Sequence, residues 1–411
     1  MLFYKFQKAG NLEFGMLRRG EIFFASPSEL NDANECRPRW ILHGNLEHWQ
    51  RLASWILDKT ILGNERLSGG KPELVGEILE TAEEIGSGLK RKAKNRNVGL
   101  EELEQMFIET SRDPLCSVME ESTFEFFANA VANFVRNELP KFLSESRYLS
   151  SFSLEATNPT MWGHYAAAEK GFVLVYSTKD GRVPLKSCVK NLHGFKKRTD
   201  DLFSGHVYEI GIYDELAIPL KAVQYRAKPP TANALRELVP QFRFSEREEH
   251  YDGPELLMSE ASEKEGSLVG LVKSTDWRYE NEVRAFFPSF FSLAPDDRVL
   301  SVDINNFIGV ICGARMSPRE KGRVCICCHH WMQSSAHDGD VCLFQAEQVR
   351  DKFDFTIKPI GTVNPKSPSF DGRLPLIRLG DLKPSQSRRI RSLAKEIAEK
   401  SKKFVPYEDE L

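Results

Sequence analysis

The sequence predicts an α+β fold with a mixed or antiparallel sheet core. Short runs with strand character recur between Tyr148 and Ile360 with few helices between them, so repeated parallel βαβ units are not evident. The stretch from about Trp40 to Arg147 has helical periodicity instead. These patterns divide the chain into a discontinuous α+β domain over 1–40 and 146–365, a helical insertion over 41–145, and a basic C-terminal helical tail over 366–411.

The N-terminal segment predicts a strand, a helix and a second strand. Leu2 to Phe6 is short and aromatic, Asn11 can begin a helix that ends at Gly20, and Glu21 to Ala25 is extended. A polar turn follows this second strand.

The helical insertion carries a basic run, Lys90 to Arg96, that could contact a phosphate backbone or form a solvated helix face. In the tail, Arg388 to Lys403 predicts a cationic amphipathic helix, which is either a partner or nucleic-acid handle or an ordinary surface helix.

After the insertion, Tyr148 to Leu154 predicts a strand, and Asn158 and Pro159 begin a helix that ends at Gly171. Phe172 to Tyr176 is apolar at every position, as in a strand buried on both faces. Further strands are predicted at His206–Tyr213, Ala222–Tyr225, Tyr279–Phe287, Val299–Ile304 and Phe307–Cys312, followed by a helix with a capping box at Ser317–Glu320 and a hairpin of Val341–Gln348 with Phe353–Ile360.

Composition limits the classes of function. The 411 residues include 56 Lys and Arg against 59 Asp and Glu, a net charge of −3, so no field of the whole chain attracts nucleic acid or membrane. The apolar runs are too short to span a bilayer, and the 8 cysteines lack the pattern of a secreted disulfide framework. We therefore predict a cytoplasmic protein with no membrane partner.

The run Cys325 to His330 has cysteines and histidines, but no second Cys-x-x-Cys pair accompanies it. The capping box places the run on a helix, where Val324, Cys328 and Trp331 would form a buried stripe. We favour that buried stripe over a metal site.

The most informative segment for function runs from Lys273 to Phe287. If it is a strand, alternate side chains share a face, and one face carries only charge: Arg278, Glu280, Glu282 and Arg284. Two carboxylates on one face raise each other's pKa, and the flanking arginines can clamp an anion. Such a pair suits a sugar oxocarbenium ion in a phosphate-bearing substrate, although a solvated charged ladder is an equal alternative.

Two other segments hold candidate residues. Trp162 and Tyr165 lie three apart on the predicted helix and could offer an aromatic face to a flat ring, or could pack in the core. The turn that begins at Ser26 places Asn31, Asp32 and Glu35 at a strand end, where polar side chains either line a site or form the turn.

These segments resemble an uncharacterised bacterial domain family. The shared motifs are an aromatic-Lys-aromatic strand at Tyr4 to Phe6, a turn from Phe24 to Asp32, Met-Trp-x-His-Tyr at Met161 to Tyr165, and Trp-x-Tyr-Glu-x-Glu-x-Arg at Trp277 to Arg284. The resemblance covers about residues 1–40 and 148–360. It departs from the family in lacking the usual proline after Asn31-Asp32 and in its long insertion.

The same order of elements looks like the ADP-ribosyltransferase fold, a split sheet of mixed or antiparallel strands, and is similar to the thymidine ADP-ribosyltransferase toxins that modify DNA. That resemblance implies an NAD-dependent ADP-ribosyltransferase, acting as a toxin or an anti-phage defence effector. It places Glu282 in the catalytic position, with Glu280 orienting or deprotonating the acceptor. NAD would be the substrate, and no metal would be needed.

The resemblance also implies a set of NAD-binding residues: Tyr4, Lys5, Phe24, Ser26, Asn31, Asp32, Ser151, Ser153, Met161, Trp162, His164, Tyr165, Arg278 and Arg284. The acceptor could be a nucleic acid or a protein, and an antitoxin or other protein could be a partner. Two other classes stay open: a non-catalytic module that binds a nucleotide or a partner in defence or regulation, and a metal-dependent nuclease using Asp276, Glu280 and Glu282.

Overall fold

The computed structural model describes residues 1–61, 72–145, 147–186, 193–197, 208–212, 215–236, 268–287, 294–366 and 374–399. These residues form helices and a large mixed sheet, which confirms the predicted α+β class. No helix within these ranges has both the length and the apolar composition needed to cross a membrane.

The N-terminal elements follow the prediction closely. They are β1 (Leu2–Gln7), α1 (Asn11–Arg19) and β2 (Glu21–Phe23). Gly20 ends α1 with a left-handed φ of +67°, and a Cβ there would lie 2.0 Å from Cε2 of Trp331. Only glycine fits both this backbone conformation and this close approach.

The insertion is mostly helical, as its periodicity predicts, but it also contains two short strands. These strands pair through Ile41 and Gly99, because Trp40 and Leu42 alternate into the insertion's core. Its elements are β3 (Arg39–Leu42), α2 (Leu46–Ile61), α3 (Pro72–Glu80), α4 (Ala82–Ala93), β4 (Val98–Gly99), α5 (Leu100–Cys116), α6 (Glu121–Asn133), a π-helical turn (Phe134–Glu138) and α7 (Leu139–Glu145).

The elements that follow the insertion supply ten of the twelve strands of the large sheet. They are β5 (Tyr148–Ser153), α8 (Pro159–Tyr165), β6 (Phe172–Ser177), β7 (Arg182–Lys186), β8 (His193–Lys197), β9 (Tyr208–Ile212), β10 (Glu215–Ala222), β11 (Gln224–Arg226), β12 (Thr231–Asn233), β13 (Val272–Ser274), β14 (Glu282–Phe287), β15 (Val299–Val302), β16 (Phe307–Cys312), α9 (Pro318–Ser334), β17 (Val341–Gln348), β18 (Phe355–Val363), β19 (Leu376–Arg378) and α10 (Pro384–Glu399).

Twelve strands join in one sheet in the order β19-β18-β17-β16-β6-β1-β5-β14-β10-β7-β15-β2. Among the described pairs of this sheet, β16 and β17 are parallel and are joined by α9, and the others are antiparallel. β1 pairs fully with β6 but meets β5 only at Tyr4 and Ser153. The sheet therefore opens between β1 and β5.

A single bridge links the end of the second strand back to the middle of the chain. Ala25 and Leu149 exchange backbone hydrogen bonds of 2.8 and 2.9 Å, which ties the residue after β2 to β5. The pairings thus run around a closed ring of six strands, β5-β14-β10-β7-β15-β2. The closing contact is this one bridge, because Glu21–Phe23 of β2 itself pairs with β15.

The local signals for helix starts are confirmed. The Asn158 side chain accepts a hydrogen bond from the Thr160 amide, and the Ser317–Glu320 capping box begins α9. The helix predicted to run to Gly171 ends at Tyr165 instead, because Ala167, Ala168 and Glu169 adopt positive φ.

The predicted cationic tail helix is present as α10. Its apolar face holds Ile390, Ala394 and Ile397, which are buried in a cluster with Tyr4 and Trp162 on one side of the sheet. Residues 400–403 of that predicted helix, and 206, 207 and 213 of one predicted strand, lie outside the described residues.

Candidate functional site

A cavity of about 180 Å³ opens where β1 and β5 separate. Its charged wall is formed by Glu35, Lys273, Glu280, Glu282 and Arg284, and we call it the carboxylate cavity. Its other walls come from β1, β5, α8 and the N-terminal turn, through Tyr4, Phe6, Glu29, Leu30, Asn31, Ser151, Phe152, Ser153, Met161 and Tyr165.

The segment that supplies Glu280 and Glu282 is not one strand, so the prediction for Tyr279–Phe287 is wrong in its first part. Thr275–Glu280 forms a 3-10 turn, which the Ser274 side chain caps by accepting a hydrogen bond from the Asp276 amide. Asn281 then adopts a left-handed φ of +44°, and β14 begins at Glu282. The turn and the kink still bring both carboxylates to one cavity.

Lys273 sits among three carboxylates. Its Nζ lies 2.5 Å from Glu280 Oε2, 2.8 Å from Glu35 Oε1 and 3.5 Å from Glu282 Oε2. The ammonium also lies 4.6 Å from the centroid of the Trp277 ring. These four groups are packed around one buried cation, and this compensates the cost of removing it from water.

Arg284 is the second buried cation, and its side chain is 1% exposed. Its Nε donates to Glu282 Oε1 at 2.7 Å, its Nη2 donates to Glu282 Oε2 at 3.0 Å and to Glu35, and its Nη1 donates to the Gly270 carbonyl at 2.6 Å. The guanidinium is therefore engaged by the protein itself. The expected use of Arg284 as a clamp for an anionic ligand does not fit this geometry.

The environments of Glu280 and Glu282 move their pKa values apart. Burial and the neighbouring Glu282 raise the pKa of Glu280 to about 7, against the opposing effect of Lys273. Burial also acts to raise the pKa of Glu282, but Arg284 and Lys273 outweigh it and lower the pKa. Near neutral pH, one carboxyl is thus poised to exchange a proton while the other stays ionised.

Hydroxyl groups complete the setting of the two carboxyls. Tyr165 donates to Glu280 Oε1, and burial with this hydrogen bond raises the pKa of the phenol. Ser151 hydrogen-bonds the Glu282 side chain. Ser153 Oγ donates to the Glu280 carbonyl at 2.7 Å and fixes the backbone between turn and strand.

The two candidates on β1 have different surroundings. Tyr4 lines the carboxylate cavity, and its hydroxyl is buried with no hydrogen-bond partner among the described residues. Lys5 Nζ donates to Ser150 Oγ at 2.8 Å and to the Ser151 carbonyl at 3.1 Å, so it supports β5 and does not line the cavity. Burial lowers the pKa of Lys5 to about 8, although Glu282 opposes this effect.

The candidates of the N-terminal turn divide in the same way. Asn31 lines the cavity and hydrogen-bonds Tyr165, whereas Asp32 Oδ1 accepts from the Asn34 amide at 2.9 Å as a turn former. Ser26 is used in a capping interaction with Glu29.

Phe24, expected as an aromatic wall for a ligand ring, lies outside the carboxylate cavity. It is buried in the core, with its ring centroid 5.6 Å from that of Phe287. Arg278, expected beside the carboxylates, is exposed on the 3-10 turn and does not line the cavity.

On α8, the face that meets the cavity is not the predicted one. Met161 and Tyr165 line it, whereas Trp162 is buried elsewhere and donates from Nε1 to the Ala156 carbonyl at 2.8 Å. Trp162 therefore packs in the core, the second of the two predicted alternatives, because its large apolar ring is buried in the hydrophobic cluster on one side of the sheet. His164 is exposed, and its Nδ1 lies 2.9 Å from the Tyr279 hydroxyl.

Sequence reasoning assigned no role to Lys273, and for Glu35 it left open whether the side chain lines a site or forms the turn. The signal for Lys273 was a lone lysine directly after the apolar run Leu271-Val272, a place where a strand buries its side chains. A buried lysine needs an acidic partner, and Glu280 lies seven residues ahead in the chain.

The cysteine run on α9 agrees with the buried-stripe interpretation. Cys325, Cys327 and Cys328 are buried, and burial raises the pKa of each thiol. In the part of the chain that the structure describes, no three His, Cys, Asp or Glu side chains are grouped so that they could hold a metal ion.

Comparison with known proteins gives one family-model match, which covers part of the carboxylate cavity. No curated protein and no solved structure matches the chain. A family model described as a protein of unknown function (DUF2971) matches residues 161–285, the part that runs from α8 into β14 and includes Lys273, Glu280 and Glu282.

Proposed function

We propose that the carboxylate cavity is the active site of an ADP-ribosyltransferase, which breaks the nicotinamide–ribose bond of NAD and transfers ADP-ribose to an acceptor. The observation that carries this proposal is a pair of buried carboxyls beside Lys273, of which Glu282 also contacts Arg284, so that the pKa of Glu280 is raised and that of Glu282 is lowered. A carboxyl pair set apart in this way is typical of enzymes that act on glycosidic bonds.

The geometry suggests separate roles for the two carboxylates. Glu282 stays ionised, so its charge would stabilise the cationic sugar that develops as nicotinamide leaves with the bonding electron pair. Glu280 has a pKa near neutrality, which suits a general base that takes the proton of the acceptor nucleophile as the new glycosidic bond forms. Tyr165 and Lys273 would hold Glu280 in place.

The dimensions of the cavity indicate which part of NAD would enter. At about 180 Å³ it is smaller than sites for drug-sized ligands, which measure roughly 300–1,000 Å³. It therefore suits a single ring with part of its ribose, and Tyr4, Phe6 and Tyr165 offer aromatic surface to such a ring. The rest of the dinucleotide would lie outside this cavity.

The test is release of nicotinamide from NAD by the full chain, measured by chromatography. Water is the acceptor in this assay, so we expect Glu280→Gln, which removes the proposed base for that acceptor, to lower the rate about 10²- to 10⁴-fold, the range for loss of a general base. Glu347→Gln is the matched control, because Glu347 lies in an exposed ion pair with Lys358. Absence of nicotinamide release by the wild type, or full release by a folded Glu280→Gln variant, would contradict the proposal.

One observation favours a second function, a non-catalytic module that binds a nucleotide or a partner. Both carboxylate oxygens of Glu282 are held by Arg284, so the pair could serve stability alone. Calorimetric titration with NAD separates the two functions, because this module would bind NAD without releasing nicotinamide.

The acceptor and the biological setting belong to the same proposal. A toxin or defence effector of this type could modify a nucleic acid or a protein. In the basic run of the insertion, Lys92 is paired with Glu109 at 2.6 Å and Arg96 is paired with Glu102. These ion pairs reduce the charge available to a phosphate backbone and favour the solvated-face alternative for that run.

A further inference from the structure

A second cavity adjoins the first. It measures about 270 Å³ and shares Glu35 and Lys273 with the carboxylate cavity, so the two lie on either side of that ion pair. Three exposed cations line it, namely Arg37, Arg226 and Lys228, and we call it the basic cavity.

The backbone around the basic cavity is held from several directions. Arg226 ends β11 and pairs with Ser274 of the parallel strand β13. The Pro230 carbonyl accepts a 2.8 Å hydrogen bond from the Arg39 amide, which ties the segment after Lys228 to the start of β3. Adjacent prolines at 229 and 230 restrict this segment further. The wall is thus formed before a ligand arrives, which lowers the entropic cost of binding.

The charge of the basic cavity is positive. Arg226 donates from Nη2 to Gln224 Oε1 at 2.6 Å, a neutral partner that orients the guanidinium and leaves its charge. Within the described ranges, Arg37, Arg226 and Lys228 form no ion pair with a carboxylate. Glu35 and Lys273 compensate each other, so among the residues that the structure describes Asp32 is the one remaining acidic residue of this wall. Three cations against one carboxylate leave a surplus of two positive charges.

We propose that the basic cavity binds the diphosphate of a small nucleotide whose ribosyl end enters the carboxylate cavity. A diphosphate diester carries two negative charges and offers several oxygens to arginine donors, which matches the surplus charge. The placement of the ribosyl end rests on the proposed function, but the affinity for diphosphate does not. The two arginines that the sequence predicted as an anion clamp do not bind this diphosphate. Arg284 is buried in ion pairs, and Arg278 lines neither cavity.

The test is calorimetric titration of the full chain with inorganic pyrophosphate and, separately, with ADP-ribose. We expect Arg37→Ala and Lys228→Ala each to weaken both affinities about tenfold or more, as for loss of a hydrogen bond to a charged group. Arg319→Ala removes an exposed cation that lines neither cavity and should bind as the wild type does. Thermal unfolding of each variant verifies that it is folded.

The outcomes separate this inference from the proposed function. Loss of pyrophosphate binding in the two variants supports the basic cavity, even if the wild type releases no nicotinamide. Cleavage of NAD with an unchanged KM in both variants would overturn the diphosphate site and leave the activity standing. Failure of the wild type to bind pyrophosphate, or tighter binding of a short single-stranded oligonucleotide than of ADP-ribose at the same residues, would also overturn it.

Discussion

At the scale of single residues, five buried ionisable side chains form one connected unit whose charge is balanced by a proton. Glu35, Glu280 and Glu282 face Lys273 and Arg284, so full ionisation leaves three negative charges against two positive ones. A proton on one carboxyl balances the set. Glu280 is the residue that takes it, because Arg284 hydrogen-bonds both Glu282 and Glu35 but does not reach Glu280.

This arrangement predicts a pH dependence of stability. The pKa of Glu280 is raised from its ordinary value to about 7 in the folded chain, so its stabilising contribution is complete below the unfolded pKa near 4.3 and is lost as pH rises through about 7. Glu280→Gln stays neutral throughout. We expect its melting temperature to fall less between pH 5 and pH 8 than that of the wild type, as measured by thermal unfolding across that range.

The control is Glu347→Gln, which removes an exposed carboxyl and should keep the wild-type slope. If the melting temperatures of Glu280→Gln and of the wild type change equally from pH 5 to pH 8, Glu280 titrates at its ordinary pKa. The comparison uses differences between variants, so other groups that titrate in this range cancel.

At the scale of elements, the sequence correctly predicted those helices and strands whose apolar pattern or capping residues lie within the element itself. The strand Phe307–Cys312 and the capped helix from Ser317 are both found where the sequence indicated. The prediction of a strand before β14 was wrong. The alternation from Tyr279 to Phe287 is typical of a strand, but its first residues belong to a 3-10 turn that is followed by a left-handed residue, Asn281. A polar side chain at 274 and an asparagine at 281 were the available signals.

The helix pair α2 and α4 supplies a prediction at this scale. Gly86 of α4 packs against the backbone of α2, where an added Cβ would lie 2.3 Å from the Gln50 Cα. Around Gly76 of α3, no atom of the described residues, apart from the local helix backbone and its chain neighbours, lies within 4 Å of an added Cβ. We expect Gly86→Ala to destabilise the chain by about 1–3 kcal/mol through overpacking. Gly76→Ala should stabilise it by about 0.5–1 kcal/mol through the better helix propensity of alanine.

Urea unfolding of both variants measures these differences, since each adds one methyl group within a helix. Equal changes for Gly86→Ala and Gly76→Ala would mean that the close approach of α2 and α4 does not constrain the fold.

At the scale of the whole molecule, the candidate site could be predicted only in pieces. Residue types at Tyr4, Glu280 and Glu282 pointed to a site, but the contact of Arg284 with Glu35 joins positions 249 residues apart. No periodicity encodes such a contact, and neither does the bridge from Ala25 to Leu149 that closes the ring of strands. The division into insertion and sheet was predictable because it depends on a change of periodicity along the chain.

That division leads to a prediction about unfolding. The helices of the insertion have their own buried cluster, which includes Phe107, and the sheet has another, which includes Phe3. Leu149 of β5 belongs to the insertion's cluster and connects the two parts. We expect the insertion to open as a separate cooperative unit, because most of its apolar contacts lie within it.

Hydrogen exchange of the full chain tests this expectation with two matched variants. Phe107→Ala should cost about 3–5 kcal/mol and reduce protection in α2, α5 and α6, while protection in β1 and β6 is retained. Phe3 is equally buried, and Phe3→Ala should reduce protection in β1 and β6 by a similar amount. If each variant lowers protection equally in both regions, the insertion and the sheet unfold together, and the connection through Leu149 is strong enough to make the chain a single cooperative unit.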